Sequence, residues 1–468
     1  MIKIVENCNS KEISASGRFD VKYFYLGEIL DKILKNFDVS PLINYTKFIK
    51  KGIFDLNSRY YRTSGIPFIR ISNLKSFSID ESSMVYIPIK NHQKEIKTKL
   101  VPGDLALSKV GKYLGKIGQV PLRYEEVNIS QNIVGVSFNC TEEIRKYIFL
   151  YLTTPIAINQ IIRVSKAHNQ NKLTLPDIRN LRIPMLSEKK VKYYSKFVDK
   201  ITHLENDAFV LLEDLKNNVS DELGINNVQT DKNVTFISNL SFFRKDSFFT
   251  PEFSNPLYND MINYLNKNFK TVSLGEICTI IKGDEVGSAN YSVYTEKGDN
   301  DIPFVRTTDI VNHEIDNYPD FYIDPAIYSD LNQDIKENDI IFSNDGKIGQ
   351  VALITGFDKV IIQSHFRRVR LKEKLPVEYS SLTQEYLFLM LSLEKIGIYQ
   401  SKKYNVIQST IPTISNNLSQ FIIPILSDAR INELTEKVKD IFNIKNDRKK
   451  VLDLSKKELE IEFESTAE

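Results

Sequence analysis

Cysteine is scarce. The 468 residues carry three, Cys8, Cys140 and Cys278, an odd number at wide intervals. Such spacing builds neither a disulfide framework nor a zinc knuckle, and it fits free, buried thiols in a reducing compartment. His168 and His365 have no acidic or cysteine companion at ligand spacing in the sequence, so no metal site is expected and no cofactor is called for. Long apolar runs are missing as well. The opening MIKIVENCNSKE has no apolar core, and no later segment approaches the roughly 20 apolar residues that cross a bilayer. The chain is therefore expected in the cytoplasm, without a membrane partner. Charge of one sign is absent too: 62 basic residues face 60 acidic ones, a net +2. A balance this even neither signals nor excludes a polyanionic partner, because a basic face can be offset elsewhere. The glycine spacing of a Walker A loop occurs nowhere.

What is present is an ordinary globular composition, 42% hydrophobic and 26% charged, in a chain too long for one core. It also repeats itself. Lys116 to Val120 reads KIGQV, and so does Lys347 to Val351. Each copy follows an apolar run ending in Ser, GDLALSKVGK (Gly103 to Lys112) and NDIIFSNDGK (Asn338 to Lys347). IPFIRISNL from Ile66 is matched by IPFVRTTDI from Ile302, and LRIPMLSEKKV from Leu181 by FIIPILSDARI from Phe421. Arg70 and Arg306 lie 236 apart, Ser108 and Ser343 235 apart, and Pro184 and Pro424 240 apart. Landmarks kept in register over so long a period indicate a duplicated domain rather than a solenoid. The pentapeptides lie 231 apart, which an insertion of YLGK (Tyr113 to Lys116) accounts for.

Within each half the pattern is consistent. Gly17 to Leu34 ends in an amphipathic helix with Leu26, Ile29, Ile33 and Leu34 on one side, and Phe253 to Leu265 is its counterpart. IPF(I/V)R reads as a strand carrying an Arg at its far end, and LALS and IIFS read as buried strands. A Gly-Lys turn and a third strand then follow. Such a turn suits phosphate contact, and equally a plain hairpin with a solvated Lys. NISQNIVGVSF (Asn128 to Phe138) and IIQSHFRRVRL (Ile361 to Leu371) are expected as further strands. Arg367, Arg368 and Arg370 make the second basic, as a nucleic-acid contact or as a charge-guarded edge. Apolar core helices begin near Tyr147 and Glu385. Each leads to a polar loop, SKAHNQNK (Ser165 to Lys172) and SKKYNVIQS (Ser401 to Ser409), able to meet base edges with amides or to be simply polar.

Each half closes with a strand ending at Pro-x-Leu, a Ser able to cap a helix, and a long helix. The first apolar stripe runs Val191, Tyr194, Val198, Ile201, Ala208, Leu211, Leu215 and Val219. The second runs Ile431, Leu434, Val438, Ile441, Ile444, Val451, Leu452 and Leu459. Near-heptad spacing argues for helices that pack on each other or on a partner. Glu205, Lys445 and Arg448 interrupt the stripes, leaving room for such a partner.

In this order the chain resembles the specificity subunit of type I restriction-modification systems. The IPF(I/V)R strands, the LALS and IIFS strands with their Gly-Lys turns, and the IPMLSEKKV and IPILSDARI junctions carry the likeness. It implies an α+β fold of two related globular target-recognition domains, joined by two long, packed, coiled-coil-like helices in a pseudo-two-fold arrangement. The expected domains are 1–186 and 231–426 for recognition, with spacer helices at 187–230 and 427–468. The partners implied are double-stranded DNA, two adenine methyltransferase subunits and a restriction nuclease or translocase subunit. Each domain would read one half of a split target, and the helices would set the gap. Lys112, Lys116 and Lys347 are expected on phosphates, and Arg70, Arg306, Asn169, Gln170, Asn405 and Gln408 on base edges. Ser72, Asn73, Lys109, Lys172, Thr307, Thr308, Asn344, Arg368, Lys402 and Lys403 complete the expected DNA-binding set. SEKKVKY and SDARINE replace the glutamine-containing helix start usual in that family, so a related phage-defence system is an alternative, as is a protein-binding adaptor. A nuclease or methyltransferase acting alone is disfavoured, since no NPPY or DPPY stretch and no cofactor-binding glycine motif occurs. Asp104 and Asp339 read as residues leading into strands, and no catalytic residue is assigned.

Overall fold

The computed structural model describes residues 18, 20–111, 114–165, 172–228, 250–285, 301–331, 333–408 and 411–465. They form two compact units, one of residues 1–206 with 448–468 and the other of residues 207–447. Each is described by itself.

The first unit begins with a helix, Val21–Leu34, capped by Asp20 and burying Leu26, Leu30 and Leu34 at i, i+4 and i+8. Ile29 and Ile33 are only half-buried, so the buried stripe lies one position round from the expected one. A five-stranded sheet follows in the order Thr46–Lys51, Ile133–Phe138, Leu105–Ser108, Ile117–Gln119, Ser76–Phe77. Leu105–Ser108 is buried at every position, as a continuous apolar run in a central strand requires. The Ile66–Ile69 strand lies in a separate three-stranded sheet, antiparallel to Val85–Ile87 and parallel to Asn128–Ile129. The unit closes by pairing Asp38–Pro41 with Arg182–Met185.

The second unit repeats this topology. Its main sheet runs Cys278–Lys282, Phe366–Leu371, Ile340–Ser343, Val351–Leu353. Ile302–Val305 pairs antiparallel with Tyr322–Ile323 and parallel with Ile361–Ile362, and Lys270–Ser273 closes on Ile422–Ile425. One difference stands out: where Ser76–Phe77 joins the first sheet, the second unit has a two-stranded hairpin, Ile310–Val311 with Glu314–Ile315. The counterpart of the first helix is split in two, Pro251–Ser254 and Pro256–Asn268, because Pro256 cannot continue the preceding turn.

Three expectations are corrected. Asn128 to Phe138 and Ile361 to Leu371 are not single strands. Each breaks at a polar turn, and the two pieces belong to different sheets. The apolar helices are also broken. Thr153, Thr154 and Pro155 divide Glu142–Leu152 from Pro155–Val164, with a 69° bend, and a π-turn at Glu394–Ile398 follows Gln384–Ser392. Among the described residues no single helix is long and apolar enough to cross a membrane.

The third correction concerns the repeated pentapeptide. Ser108 N–H donates to Lys116 O at 2.8 Å and Ser343 N–H to Gln350 O at 2.8 Å. Leu107 pairs with Ile117, and Phe342 with Val351. Lys116 is therefore the counterpart of Gln350, not of Lys347. IGQ lies in strand in the first unit, while the second KIGQ lies in and beside a turn. The two identical stretches are offset by about one turn's length, and the duplication rests on the flanking landmarks instead.

A glutamine ties the closing strand in both units. Gln160 Nε2 donates to Arg182 O at 2.9 Å while its Oε1 accepts from Arg182 N–H at 2.9 Å. Gln400 does the same with Ile422, at 3.0 and 2.7 Å. Tyr386 Oη donates to Pro424 O at 2.7 Å, and Tyr147 Oη to Pro184 O.

The long helices are Glu188–Glu222 and Asp428–Ser465. Glu188 and Asp428 open them, favourable against the positive helix start, and Ser187 O and Ser427 O accept the first-turn N–H groups of Val191 and Ile431. They run antiparallel within each unit. Lys190 pairs with Glu462 and Tyr193 with Glu458 in the first, and Arg430 with Glu222 in the second. Leu212 is buried and Leu211 exposed, the reverse of the expected stripe. In the second unit Leu212, Leu215, Val219, Leu434, Val438 and Phe442 share one core with Phe388 and Leu389 of the lobe.

The charged interruptions are not gaps for a partner. Lys445 Nζ donates to Asn312 O at 2.9 Å and lies 3.7 Å from Glu314, with both side chains about 5% exposed or less. At the equivalent place in the first unit, Ser78 Oγ donates to Glu205 at 3.2 Å, and Arg448 Nη1 lies 3.5 Å from Ser78 Oγ. In each lobe the segment that carries Ser78 or Glu314 thus fills the break. His313, where the first unit has Phe77, donates from Nδ1 to Val351 O at 3.0 Å, and its Nε2 lies 3.5 Å from Lys216 Nζ. Burial, then the Lys216 charge, pushes its pKa well below the usual value, with Lys445 adding to the shift.

Two outcomes follow. Gln400→Leu leaves two backbone groups of Ile422 buried without partners, and should lower stability by roughly 2 kcal/mol in urea titrations. His313 stays neutral in the folded chain while the unfolded chain takes up a proton below pH 6.5. Folding stability should therefore fall as pH drops through about 6.5, and His313→Phe should remove that part of the loss in melting curves at pH 5 and 7.5.

Candidate nucleic-acid interface

In both units the buried central strand runs out at a Ser and enters the Gly-Lys turn. Gly111 and Gly346 have φ of 60° and 75°, which a residue with a Cβ adopts only with strain. Among the described residues nothing lies within 4 Å of where that Cβ would stand.

Beside the turn comes the strand that follows the polar loop. Leu173 N–H donates to Lys109 O at 2.9 Å, and Val110 bridges to Lys172. In the second unit Ile414 N–H donates to Asn344 O at 2.9 Å, Asp345 bridges to Thr413, and Gly346 N–H donates to Pro412 O at 2.9 Å. The partner there is a hairpin, Val406–Gln408 with Ile411–Thr413. Two segments some sixty residues apart in sequence, the stretch leading into the Gly-Lys pair and the residues at or just past the end of the polar loop, thus meet at one corner in each unit.

Of the expected contact residues, Lys347, Lys172 and Lys402 are exposed, and Lys116, Asn405, Ser72, Thr307 and Thr308 half-buried. Asn405 Oδ1 is buried without a hydrogen-bond partner. Lys112, Asn169 and Gln170, and the side chain of Gln408, lie outside the described residues. Lys109 is buried. Desolvation first, then the charges of Lys51 and Lys172, lower its pKa to about 8. Those effects mark three lysines gathered at the first corner.

Arg70 and Arg306 are half-buried and are held by partners of their own. Arg70 N–H donates to Asn73 Oδ1 at 2.9 Å and its guanidinium to Ser83 O. Arg306 N–H donates to Asp309 at 2.8 Å, with its guanidinium 3.3 Å from Asp320 and 3.7 Å over the Phe321 ring.

Four expected readers are corrected to structural residues. Asn73 is fully buried, donating to Asp80 O and Ser83 Oγ. Asn344 is fully buried and donates to Asp345 Oδ1 at 3.0 Å. Arg368 is buried, pinned to Gln333 O at 2.9 Å and Asp334 O at 2.8 Å. Lys403 donates to Phe253 O at 2.9 Å and to Asn259 Oδ1, 3.9 Å over the Phe253 ring. Arg370 is likewise held by Asp334 and Asp339, so the basic Arg cluster largely braces its own loop.

Sequence reading missed Asp345, His365 and Thr413. His365 Nδ1 lies 3.2 Å from Asp345 Oδ2, and Thr413 Oγ1 donates to Asp345 Oδ1. Burial raises the Asp345 pKa, but the hydrogen bonds from Thr413, His365 and Asn344 outweigh it and hold the carboxyl below its usual range. His365 has its acidic companion in space and not in sequence. Only the strand register could have brought the two together.

No curated protein matches the chain. Among solved structures, the type I restriction-modification S subunit from M. genitalium is 14% identical, with 92% of this chain and 96% of that one covered at a TM-score of 0.32. The HsdS subunit from Thermoanaerobacter tengcongensis is 13% identical over 92% and 96%, at 0.28. A sequence profile described as the type I restriction modification DNA specificity domain matches residues 21–210 and again 266–454. Those two stretches take up most of the chain, which belongs to the type I restriction-modification DNA specificity family and carries that domain twice.

Proposed function

We propose that each domain reads one half of a bipartite DNA target through the corner where its Gly-Lys turn meets its polar loop, and that the chain performs no chemistry itself. The observation that carries this is that the end of the buried strand meets the residues closing the polar loop in both units, by one matching hydrogen bond, Leu173 N–H to Lys109 O and Ile414 N–H to Asn344 O, and by matching bridges. An exposed Lys on such a turn, as Lys347 is, can neutralise a phosphate, while neighbouring amides and carboxylates address base edges. The partners on this reading are double-stranded DNA, adenine methyltransferase subunits and, in cutting assemblies, a nuclease or translocase subunit. Among the described residues no group of three or more acidic, His or Cys side chains is placed to hold a metal ion, and the carboxylates at the corner are engaged with neighbouring side chains.

Gel shifts of the full chain on genomic fragments should give retarded complexes that survive polyanion competitor on a subset of fragments. Affinity should fall steeply with salt, as phosphate contacts require. Incubation with S-adenosylmethionine and DNA should give no methylation, and turnover by the purified chain would falsify the non-enzymatic part. Lys109 offers a pH test. Its folded pKa of about 8 lies below the ordinary 10.5, so the cost of burying its charge is full below pH 8 and is relieved between about 8 and 10.5. Lys109→Met should raise the melting temperature relative to the parent at pH 7, and the difference should shrink toward pH 10.

A further inference from the structure

The backbone bonds at the two corners put the residues in one-to-one correspondence. Lys109 and Asn344 each give their carbonyl to the strand after the polar loop, and Lys109 N–H donates to Asn132 O as Asn344 N–H does to His365 O. Val110 bridges to Lys172 as Asp345 bridges to Thr413. Lys51 pairs with Val134 as Lys282 pairs with Arg367, so Lys51 and Lys282 correspond too.

Some positions are alike across this comparison. Lys51 and Lys282 are both exposed lysines, and a Gly-Lys pair stands at each turn. Others change chemical type: Lys109 to Asn344, Val110 to Asp345, Asn132 to His365 and Lys172 to Thr413. Contacts to the backbone of duplex DNA are the same whatever the sequence, while contacts to base edges must differ between two different half-sites. With fully buried Asn344 set aside as structural, the unlike positions are therefore the candidates for discrimination.

They also differ in hydrogen-bonding sense. The first corner offers ammonium donors, since Lys has no acceptor. The second offers a carboxylate, 18% exposed in its side chain, beside His365 at 39%. A carboxylate facing a polyanion is costly unless it accepts a hydrogen bond there, and the base groups able to donate in the major groove are the exocyclic amines.

Resting on the reading of the chain as a bipartite DNA reader, we propose that the two corners read opposite kinds of base edge. Lys109 and Lys172 select the acceptor edge of guanine, and Asp345, positioned by His365 and Thr413, selects an exocyclic amino group of cytosine or adenine.

The test is selection of randomised duplexes by the purified full-length chain, with sequencing of the bound pool. Asp345→Asn should relax preference at one base of one half-site, about tenfold or more, and leave the other half-site intact. Lys172→Thr alters an exposed residue and keeps the proposal testable should Asp345→Asn fail to fold. It should relax preference for a guanine in the opposite half-site. Variants that weaken every sequence alike, or leave both half-sites unchanged, overturn the assignment while the DNA-reader function stands. A parent chain that enriches no sequence at all overturns both.

Discussion

A helix more than thirty residues long with an apolar stripe is not stable in water by itself; something must cover that stripe along its whole length. Here the cover comes from two sources at once, the other long helix and the lobe of the same unit. In the second unit Leu212, Leu434 and Phe442 lie in one core with Phe388 of the lobe. In the first, Phe463 of the second long helix meets the rings of Phe37 and Tyr151. A lobe that shares its core with a rod cannot turn freely on it, and so whatever its surface reads is held at a fixed attitude to the rod.

The polar contacts then define which attitude. Apolar packing alone tolerates small slips along a helix, whereas Lys445 buried against Glu314 and the carbonyl of Asn312 has one satisfied position. Charged residues that look like defects in a heptad pattern are therefore what sets the lobe's seat.

Much of the architecture was readable in advance, because duplicated landmarks report topology without any knowledge of contacts. The IPF strands, the buried LALS and IIFS strands and the long helices that follow Ser187 and Ser427 all stand where the pattern put them. The pattern failed where tertiary pairing decides. KIGQV looked like the surest landmark, and it is the one placed differently in the two units, since strand register answers to hydrogen bonds and burial and not to identity of letters. Asn73 and Lys403 looked like readers because their polarity is visible in the sequence, but their partners, Asp80 and Phe253, are not. Asp345 and His365 were missed for the same reason, twenty residues apart in the chain and 3.2 Å apart in space.

The seats of the two lobes are built from different pairs. On the first rod the lobe presents Ser78 to Glu205; on the second it presents Glu314 to Lys445. If the second lobe were grafted onto the first rod, Glu314 would meet Glu205 and the Arg448 guanidinium in place of Lys445. The lobes are thus cousins whose seats are not matched pair for pair, and a shuffling of specificities along this scaffold keeps each seat intact only when the stretch of rod beneath a lobe travels with it.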